Sequence, residues 1–218
     1  MASFDQNSSE STYKSEVRDY YSKVLKSSKD LKTNACLTTE AIPEHVKKIM
    51  SSLHNVVKMK YYGCGIIIPS ELTGLTVLDL GCGAGRDCYI LSKLVGEGGT
   101  VLGIDMTPEL IEVANTHKDF HTEKFGFKTS NVQFIEGFIE ELPLADNSVD
   151  LIVSNCVVNL SPNKKKVLEE AFRVLKPGGE MYFSDVYSSR RVPEALVRDS
   201  VLYGECLSGA LYWNDFIR

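Results

Sequence analysis

The sequence predicts an α/β protein with a doubly wound, mainly parallel sheet. From Leu75 onwards, short apolar strands alternate with segments of helical periodicity, which is typical of βαβ units. The first of these strands runs into a glycine-rich turn, V-L-D-L-G-C-G-A-G-R-D over residues 77–87. With 218 residues, the chain is long enough to bury one core of this kind and to carry a small appendage.

Two helices are predicted ahead of the sheet. Residues 1–12 are polar and rich in serine, which predicts a disordered N-terminus. The next segment predicts a helix, because one helical face would carry only apolar and aromatic side chains, namely Val17, Tyr20, Tyr21, Val24 and Leu25. A second helix is predicted from Pro43 to about Met59, since proline suits the first helical turn. Residues 13–74 are therefore predicted to form a helical N-terminal extension.

Residues 75–187 are predicted to form the sheet domain. The predicted strands are 75–80, 100–105, 131–136, 149–155 and 180–187, and the predicted helices are 86–96, 108–124 and 162–175. The string K-P-G-G at 176–179 predicts the end of the last helix, because proline and glycine do not continue a helix. The pattern loosens over residues 188–218, where a helix is predicted at 193–203.

Composition and charge exclude several kinds of partner. The net charge is −5, and residues 75–187 carry 17 acidic and 10 basic side chains, so a broad nucleic-acid surface is not expected. The basic run 164–166 is interpreted as a solvated helix face. No apolar run approaches the roughly 18 residues of a membrane helix, and the polar start has no signal-peptide core. We therefore expect a cytoplasmic monomer with reduced cysteines and no membrane partner.

The glycine-rich turn predicts a ligand-binding loop. Its glycines are Gly81, Gly83 and Gly85, and Arg86 then begins a helix whose free N–H groups would face the ligand. The dinucleotide pattern G-x-G-x-x-G fails, because its third glycine would fall on Arg86. The pattern G-x-G-x-G, with Asp79 two residues before it, resembles the S-adenosylmethionine loop of Rossmann-type methyltransferases.

The residues that close the predicted strands complete a candidate cofactor site, because ligands of open parallel sheets bind beyond the strands' carboxyl ends. Asp105 follows Gly85 by twenty residues, the distance at which an acidic side chain accepts hydrogen bonds from ribose hydroxyls. The set predicted from strand ends is Asp79, Asp105, Met106, Gly137, Phe138, Ile139 and Asn155. A nucleotide-binding α/β fold of another kind is the alternative.

Strings around three of the six cysteines extend this resemblance. Y-Y-G-C-G surrounds Cys64, V-S-N-C-V-V-N-L surrounds Cys156, and G-E-C-L-S-G-A-L-Y-W surrounds Cys206. With D-L-G-C-G-A-G-R-D-C-Y, G-I-D-M-T and V-L-K-P-G-G-E-M-Y-F-S-D-V-Y, they make nearly the whole chain resemble the arsenite methyltransferases. The resemblance implies that these three cysteines bind arsenic(III), that Cys36 takes part in thiol–disulfide steps, and that Tyr62 contacts the cofactor.

The implied chemistry agrees with the residue types. Arsenic(III) is soft and prefers thiolates, and its lone pair can attack a sulfonium methyl group without losing a proton. The absence of a convincing general base therefore fits this reaction. Two cysteines in and behind the glycine loop, Cys82 and Cys88, are expected to be buried filler. The four histidines, His45, His54, His117 and His121, are expected to be structural or exposed.

The resemblance also implies partners and leaves alternatives open. The expected partners are arsenite, methylarsenicals and a thiol reductant such as glutathione or thioredoxin. Typical members continue beyond residue 218, so residues 188–218 would form a partial arsenic-binding segment, and the fifth strand would be an edge strand. The alternatives are a methyltransferase for a small organic acceptor, such as a quinone or sterol, and a shortened, inactive thiol protein that only sequesters arsenicals.

Overall fold

The computed structural model describes residues 6–25, 30–33, 42–197 and 199–217. Five strands form one sheet: β1 (Thr76–Leu80), β2 (Thr100–Asp105), β3 (Val132–Glu136), β4 (Val149–Asn155) and β5 (Leu175–Ser184). Their order is β3-β2-β1-β4-β5, and every pairing is parallel. The order reverses on either side of β1, so the predicted doubly wound α/β class is confirmed and a crevice is expected beyond β1 and β4.

Helices cover the sheet and extend beyond it. In chain order they are α1 (Gln6–Asp19), α2 (Glu44–Ser52), α3 (Asn55–Met59), α4 (Arg86–Val95), α5 (Pro108–Thr116), α6 (Lys118–Phe125), α7 (Lys164–Val174), α8 (Glu194–Val197), α9 (Ser200–Gly204) and α10 (Trp213–Phe216). Within the described ranges, none of these helices is both long enough and apolar enough to cross a membrane.

Alternate residues of β1 separate two apolar layers, as the period of two along a strand requires. Val77 packs with Tyr89 and Ile90 of α4 on one face of the sheet. Leu78 packs on the other face with Val167 of α7. Helices on both faces bury the sheet from two sides, which explains why its strands are continuous apolar runs in the sequence.

The N-terminal extension begins with a helix that is longer than predicted. It starts at Gln6, within the stretch 1–12 that the sequence predicts to be disordered. It continues into one π-helical turn, Tyr20–Val24, in which the Leu25 N–H donates to the Tyr20 carbonyl oxygen. A π turn rotates the helix face, which explains why Leu25 is buried whereas Val24 is 51% exposed.

Three helices that the sequence predicts as continuous are interrupted, at 43–59, 108–124 and 193–203. In the first, α2 ends at Ser52, and His54 starts α3 by accepting a hydrogen bond from the Val56 N–H at its side chain. His117 separates α5 from α6 with φ −103° and ψ 12°. Asp199 caps α9 through two backbone N–H groups. At two of the three breaks, a polar side chain that bonds to the backbone therefore starts a new helix.

The last helix of the sheet domain ends earlier than predicted, and the last strand starts earlier. The helix α7 ends at Val174, and Leu175 already pairs with Val149 of β4. Regular pairing resumes at Glu180 after an irregular register. The K-P-G-G string therefore lies inside β5 as an irregularity. The strand order places β5 at an edge of the sheet, as predicted.

Candidate active site

A cleft lies beyond the carboxyl ends of the central strands. It is lined by eleven of the residues predicted to contact a cofactor: Tyr62, Asp79, Gly81, Gly83, Arg86, Asp105, Met106, Gly137, Phe138, Ile139 and Asn155. Gly85, the remaining member of that set, caps α4 with φ 84°. A Cβ at this position would lie 2.7 Å from the Phe134 ring, so glycine is required there for packing.

Asp105 links the end of β2 to the glycine loop. Its Oδ2 accepts a hydrogen bond from the Gly83 N–H at 2.9 Å, and its Oδ1 accepts one from the Thr107 N–H at 2.9 Å. Burial raises the pKa of Asp105, while these two hydrogen bonds oppose that shift. The carboxyl group is therefore fixed in place at the wall of the cleft.

Asp79, at the end of β1, is a buried carboxyl group that faces the same cleft. It is 3% exposed, and its Oδ2 accepts a hydrogen bond from the Cys88 thiol at 3.3 Å. Burial raises its pKa well above the ordinary value, and the charge of Asp87 adds to that shift. A thiol is a weak donor, so Asp79 keeps capacity to accept bonds from a cationic group. The Asp79 carboxyl group therefore has acceptor capacity left at the wall of the cleft.

The N-terminal extension also contributes to the wall of the cleft. The Lys14 ammonium of α1 lies 4.7 Å from the centre of the Phe138 ring and 3.3 Å from Glu140 Oε2. Glu140 Oε1 accepts a further hydrogen bond from Ser161 Oγ at 2.6 Å. Phe138 is 43% exposed, so an apolar ring remains available to a flat ligand at this end.

A polar network joins the cleft to the loop that carries Cys64. The Arg86 guanidinium lies 3.1 Å from the centre of the Tyr61 ring, and its Nη2 donates to the Gly65 carbonyl oxygen at 2.6 Å. Asn155 Oδ1 accepts from the Cys64 N–H at 3.1 Å, while its Nδ2 donates to Tyr61 Oη at 2.7 Å. The residue before Cys156 therefore also holds the backbone of Cys64.

The three cysteines whose flanking sequences carry the family resemblance lie together beside the cleft. Cys64, Cys156 and Cys206 are 7%, 5% and 1% exposed and share one apolar cluster with Val17 and Tyr203. Cys64 and Cys156 are joined by a disulfide across 92 positions, with their Cα atoms 6.2 Å apart. The Cys206 thiol donates to the Cys156 carbonyl oxygen at 3.0 Å. The fold therefore gathers these residues from three distant segments.

The disulfide corrects one expectation. The absence of a secretion signal predicts reduced cysteines, and this is wrong for Cys64 and Cys156 in the structure. The fold sets their Cα separation within the range that a disulfide can bridge, and no sequence spacing indicates that proximity. Cys82 and Cys88 are buried thiols, as predicted, and burial raises the pKa of Cys82 to about 11. Cys36 lies outside the described residues.

A second cavity borders Cys64. Residues on its wall include Cys64, Ile67, Phe183, Ser184, Asp185 and Tyr187. Burial raises the pKa of Asp185 to about 6, although its carboxylate accepts backbone hydrogen bonds from Asn159 and Val186. We call this space the second cavity. Its wall therefore contains both Cys64 and a carboxyl group.

Sequence reasoning missed the role of Lys164. The sequence predicts a solvated run at 164–166, and the Lys165 side chain is indeed 88% exposed. The Lys164 ammonium instead donates to the carbonyl oxygens of Asn159 and Ser161, at 3.3 and 2.9 Å. Burial lowers the pKa of Lys164, while the charges of Asp185, Cys206 and Glu140 oppose that shift. Its side chain therefore lies close to the cysteine cluster and is not part of a solvated run.

Comparisons with known proteins agree with this geometry. A family model described as a methyltransferase domain matches residues 71–218. An arsenite methyltransferase of Aquipseudomonas alcaligenes is 58% identical over 203 residues, which cover 92% of this chain and 58% of that protein. The human arsenite methyltransferase is 54% identical over 204 residues, which cover 92% of this chain and 54% of that protein.

A solved structure is also similar. The crystal structure of an arsenic(III) S-adenosylmethionine methyltransferase from Chlamydomonas reinhardtii has a TM-score of 0.78 and is 54% identical in sequence. The match covers 82% of this chain and 60% of that chain. The chain thus spans less than two thirds of the length of the relatives that it matches.

Proposed function

The chain belongs to the methyltransferase-domain family. From that premise and its 54–58% identity to arsenite methyltransferases, we propose that it is an arsenite methyltransferase, which methylates arsenic(III) with S-adenosylmethionine. One observation carries the proposal: Cys156 lines the cofactor cleft, is bonded to Cys64 and accepts a hydrogen bond from Cys206. Three cysteines whose sulfurs can bind a soft ion therefore lie in one cluster, and one of them lines the cleft that would hold the methyl donor.

Residues of the cleft would hold the cofactor in a defined orientation. Asp79 would accept hydrogen bonds from its ammonium group, and Asp105 from its ribose hydroxyls. Met106 and Phe138, which line the cleft, would offer apolar surface to the adenine ring, and Tyr62 would be a further contact. S-adenosylmethionine supplies, when bound, an electrophilic methyl group on a sulfonium centre. The chain's own task is to fix the arsenic opposite that group, which can lower a barrier by about 7–11 kcal/mol at best.

Arsenite would be bound by the thiolates of Cys64, Cys156 and Cys206. The arsenic lone pair would be the nucleophile, so no side chain has to remove a proton from the attacking atom. The Cys64–Cys156 disulfide has to be reduced before all three sulfurs can bind. This requirement supports a thiol reductant, such as glutathione or thioredoxin, as a partner of the reaction.

Transfer of a labelled methyl group tests the proposal. Reduced protein, arsenite, glutathione and labelled S-adenosylmethionine should yield methylated arsenic. Cys64→Ser, Cys156→Ser and Cys206→Ser should each abolish product while retaining cofactor binding. Trp213 is the sole tryptophan and lies seven residues after Cys206, so its emission reports arsenite binding in the same samples.

Full turnover in the three variants would contradict thiolate ligation and favour a small organic acceptor. Tight arsenite binding without product would instead indicate sequestration.

A further inference from the structure

The disulfide lies between two separate cavities. Cys156 lines the cofactor cleft, whereas Cys64 lines the second cavity. Among the described lining residues, neither cavity includes both cysteines. The two cysteines of one disulfide therefore border different cavities.

The direction of approach decides which sulfur a nucleophile attacks. In thiol–disulfide exchange the attacking sulfur, the attacked sulfur and the leaving sulfur lie in line. A thiolate in the second cavity would meet Cys64 first, with Cys156 as the leaving group. Because Cys64 and Cys156 are only 7% and 5% exposed, a reductant must enter a cavity to reach them. That requirement favours a small molecule over the surface of a protein reductant.

We propose that the second cavity is a docking site for a small-molecule thiol, which reduces the Cys64–Cys156 disulfide by attacking Cys64. The cavity wall combines apolar side chains, Ile67 and Phe183, with polar ones, Ser184 and Asp185. This mixture suits a compact thiol with a polar end. The proposal deepens the proposed function, since arsenic capture requires both sulfurs in the reduced state.

The exchange is balanced in two steps. The small thiol first loses its proton to solvent, and its thiolate forms a bond to the Cys64 sulfur as the Cys64–Cys156 bond breaks. Cys156 leaves as a thiolate at the wall of the cofactor cleft. A second molecule of the small thiol then attacks the mixed disulfide, which releases Cys64 and a symmetrical small-molecule disulfide. Two electrons pass from two small thiols to one protein disulfide.

Adduct mapping tests which sulfur is attacked. The oxidised protein is mixed briefly with 2-mercaptoethanol, quenched with acid to stop rearrangement, alkylated and digested. Mass spectrometry should place the mixed disulfide on Cys64 and the alkyl group on Cys156. A mixed disulfide on Cys156 would overturn the proposal. A lack of the Cys64–Cys156 disulfide in the oxidised protein would overturn it too.

A variant pair tests the docking cavity. Ser184→Leu places an apolar side chain in the second cavity and should slow adduct formation about tenfold, because access limits the exchange. Ser189→Leu, at an exposed position nearby, is the matched control and should react at the wild-type rate. Cofactor binding in both variants confirms the fold. Equal rates of adduct formation in the two variants would overturn the docking site. So would the finding that a thioredoxin-type protein, and no small thiol, reduces the Cys64–Cys156 disulfide. These measurements contain no arsenite, so loss of methylation activity cannot change their result.

Discussion

Cys156 and Cys206 hold their backbones in the left-handed region, with φ of 57° and 64°. A residue with a Cβ pays about 1–2 kcal/mol for this conformation. Asn147 is the other non-glycine residue with positive φ in the described chain, and asparagine tolerates it better. Backbone strain therefore coincides with two of the proposed arsenic ligands, as is typical of residues positioned for a ligand.

A buried histidine predicts how stability depends on pH. His121 is 1% exposed, stacks on Tyr89 and accepts a hydrogen bond from the His54 N–H at its Nε2. Burial lowers the pKa of His121 from 6.5 to about 4. The unfolded chain takes up a proton near pH 6.5 and the native chain only near pH 4, so stability falls as the pH falls through this window.

We expect this histidine to cost on the order of 3 kcal/mol of stability between pH 6.5 and 4. Urea unfolding of the wild type and of His121→Gln at several pH values measures it. The variant should have the lower stability at pH 7 and a shallower decline below pH 6.5. Parallel curves for the two proteins would contradict the assignment.

A carboxylate on α7 is stabilised in its charged form, whereas the fold favours the neutral form of His121. Glu170 accepts hydrogen bonds from Arg173 and from the Leu142 N–H, and the Arg173 bonds lead in lowering its pKa from 4.5 to about 2. Its contribution is fully present above pH 4.5 and is lost as the pH falls towards 2. Glu170→Gln should therefore lose about 1–3 kcal/mol at pH 7. The difference, measured by urea unfolding, should shrink at pH 3; a constant difference would mean that the carboxylate charge is not responsible.

The candidate cofactor residues could be predicted one by one, whereas their partners could not. Asp79 and Asp105 are predictable because parallel strands end at a common edge, a rule that needs no tertiary detail. The stacking of Arg86 on Tyr61 and the Cys64–Cys156 disulfide depend on where a distant loop lies. Local sequence does not determine that position.

At the scale of elements, one carboxylate connects the N-terminal extension to the C-terminal segment. Glu205 follows α9 and accepts hydrogen bonds from Tyr20 Oη and from the backbone N–H groups of Lys32 and Thr33. Burial would raise its pKa, but these donors outweigh burial and lower it. The neighbouring Gly204 lies so close to Tyr20 that a Cβ would be 2.7 Å from its ring. The residue before Cys206 thus fixes the segment that leads towards Cys36.

Replacing this carboxylate should loosen the connection. In Glu205→Gln the amide nitrogen would face a backbone N–H, which leaves a donor without an acceptor at a cost of about 1–3 kcal/mol. We expect faster hydrogen exchange at residues 30–33, read by mass spectrometry, with cofactor affinity within about twofold of the wild type. Glu109→Gln, an exposed change at the start of α5, is the control. Unchanged exchange at 30–33 would show that other contacts hold this segment.

Element positions were easier to predict than element breaks. Strand β4 occupies the predicted residues 149–155, because an apolar run between turn signals has few alternatives. The breaks at His54 and His117 could not be predicted, since these rings pack on each other with centroids 3.9 Å apart. Packing between separate helices therefore overrides a helical pattern that looks continuous in the sequence.

At the scale of the whole molecule, the buried apolar residues form three separate clusters. Two lie on opposite faces of the sheet, and the third joins α1, α9 and the cysteine cluster outside it. Tyr13 of α1 stacks on Tyr203 of α9 with ring centroids 5.1 Å apart. Segments before and after the sheet domain therefore pack against each other beside the cysteine cluster. An arsenic ion bound by Cys64, Cys156 and Cys206 would link the N-terminal extension, the sheet domain and the C-terminal segment.

This architecture predicts a redox-dependent effect of arsenite on thermal stability. A ligand that binds only the native state at 100 times its Kd adds about 2.7 kcal/mol, which corresponds to a rise in Tm of about 5–10 °C for a chain of this size. We expect that rise with arsenite only after reduction, because the oxidised protein offers Cys206 alone of the three ligands. S-adenosylmethionine should raise the Tm in both redox states, since the cleft does not require free thiols. Differential scanning calorimetry of the four combinations measures this, and an equal response to arsenite before and after reduction would exclude the three-sulfur site.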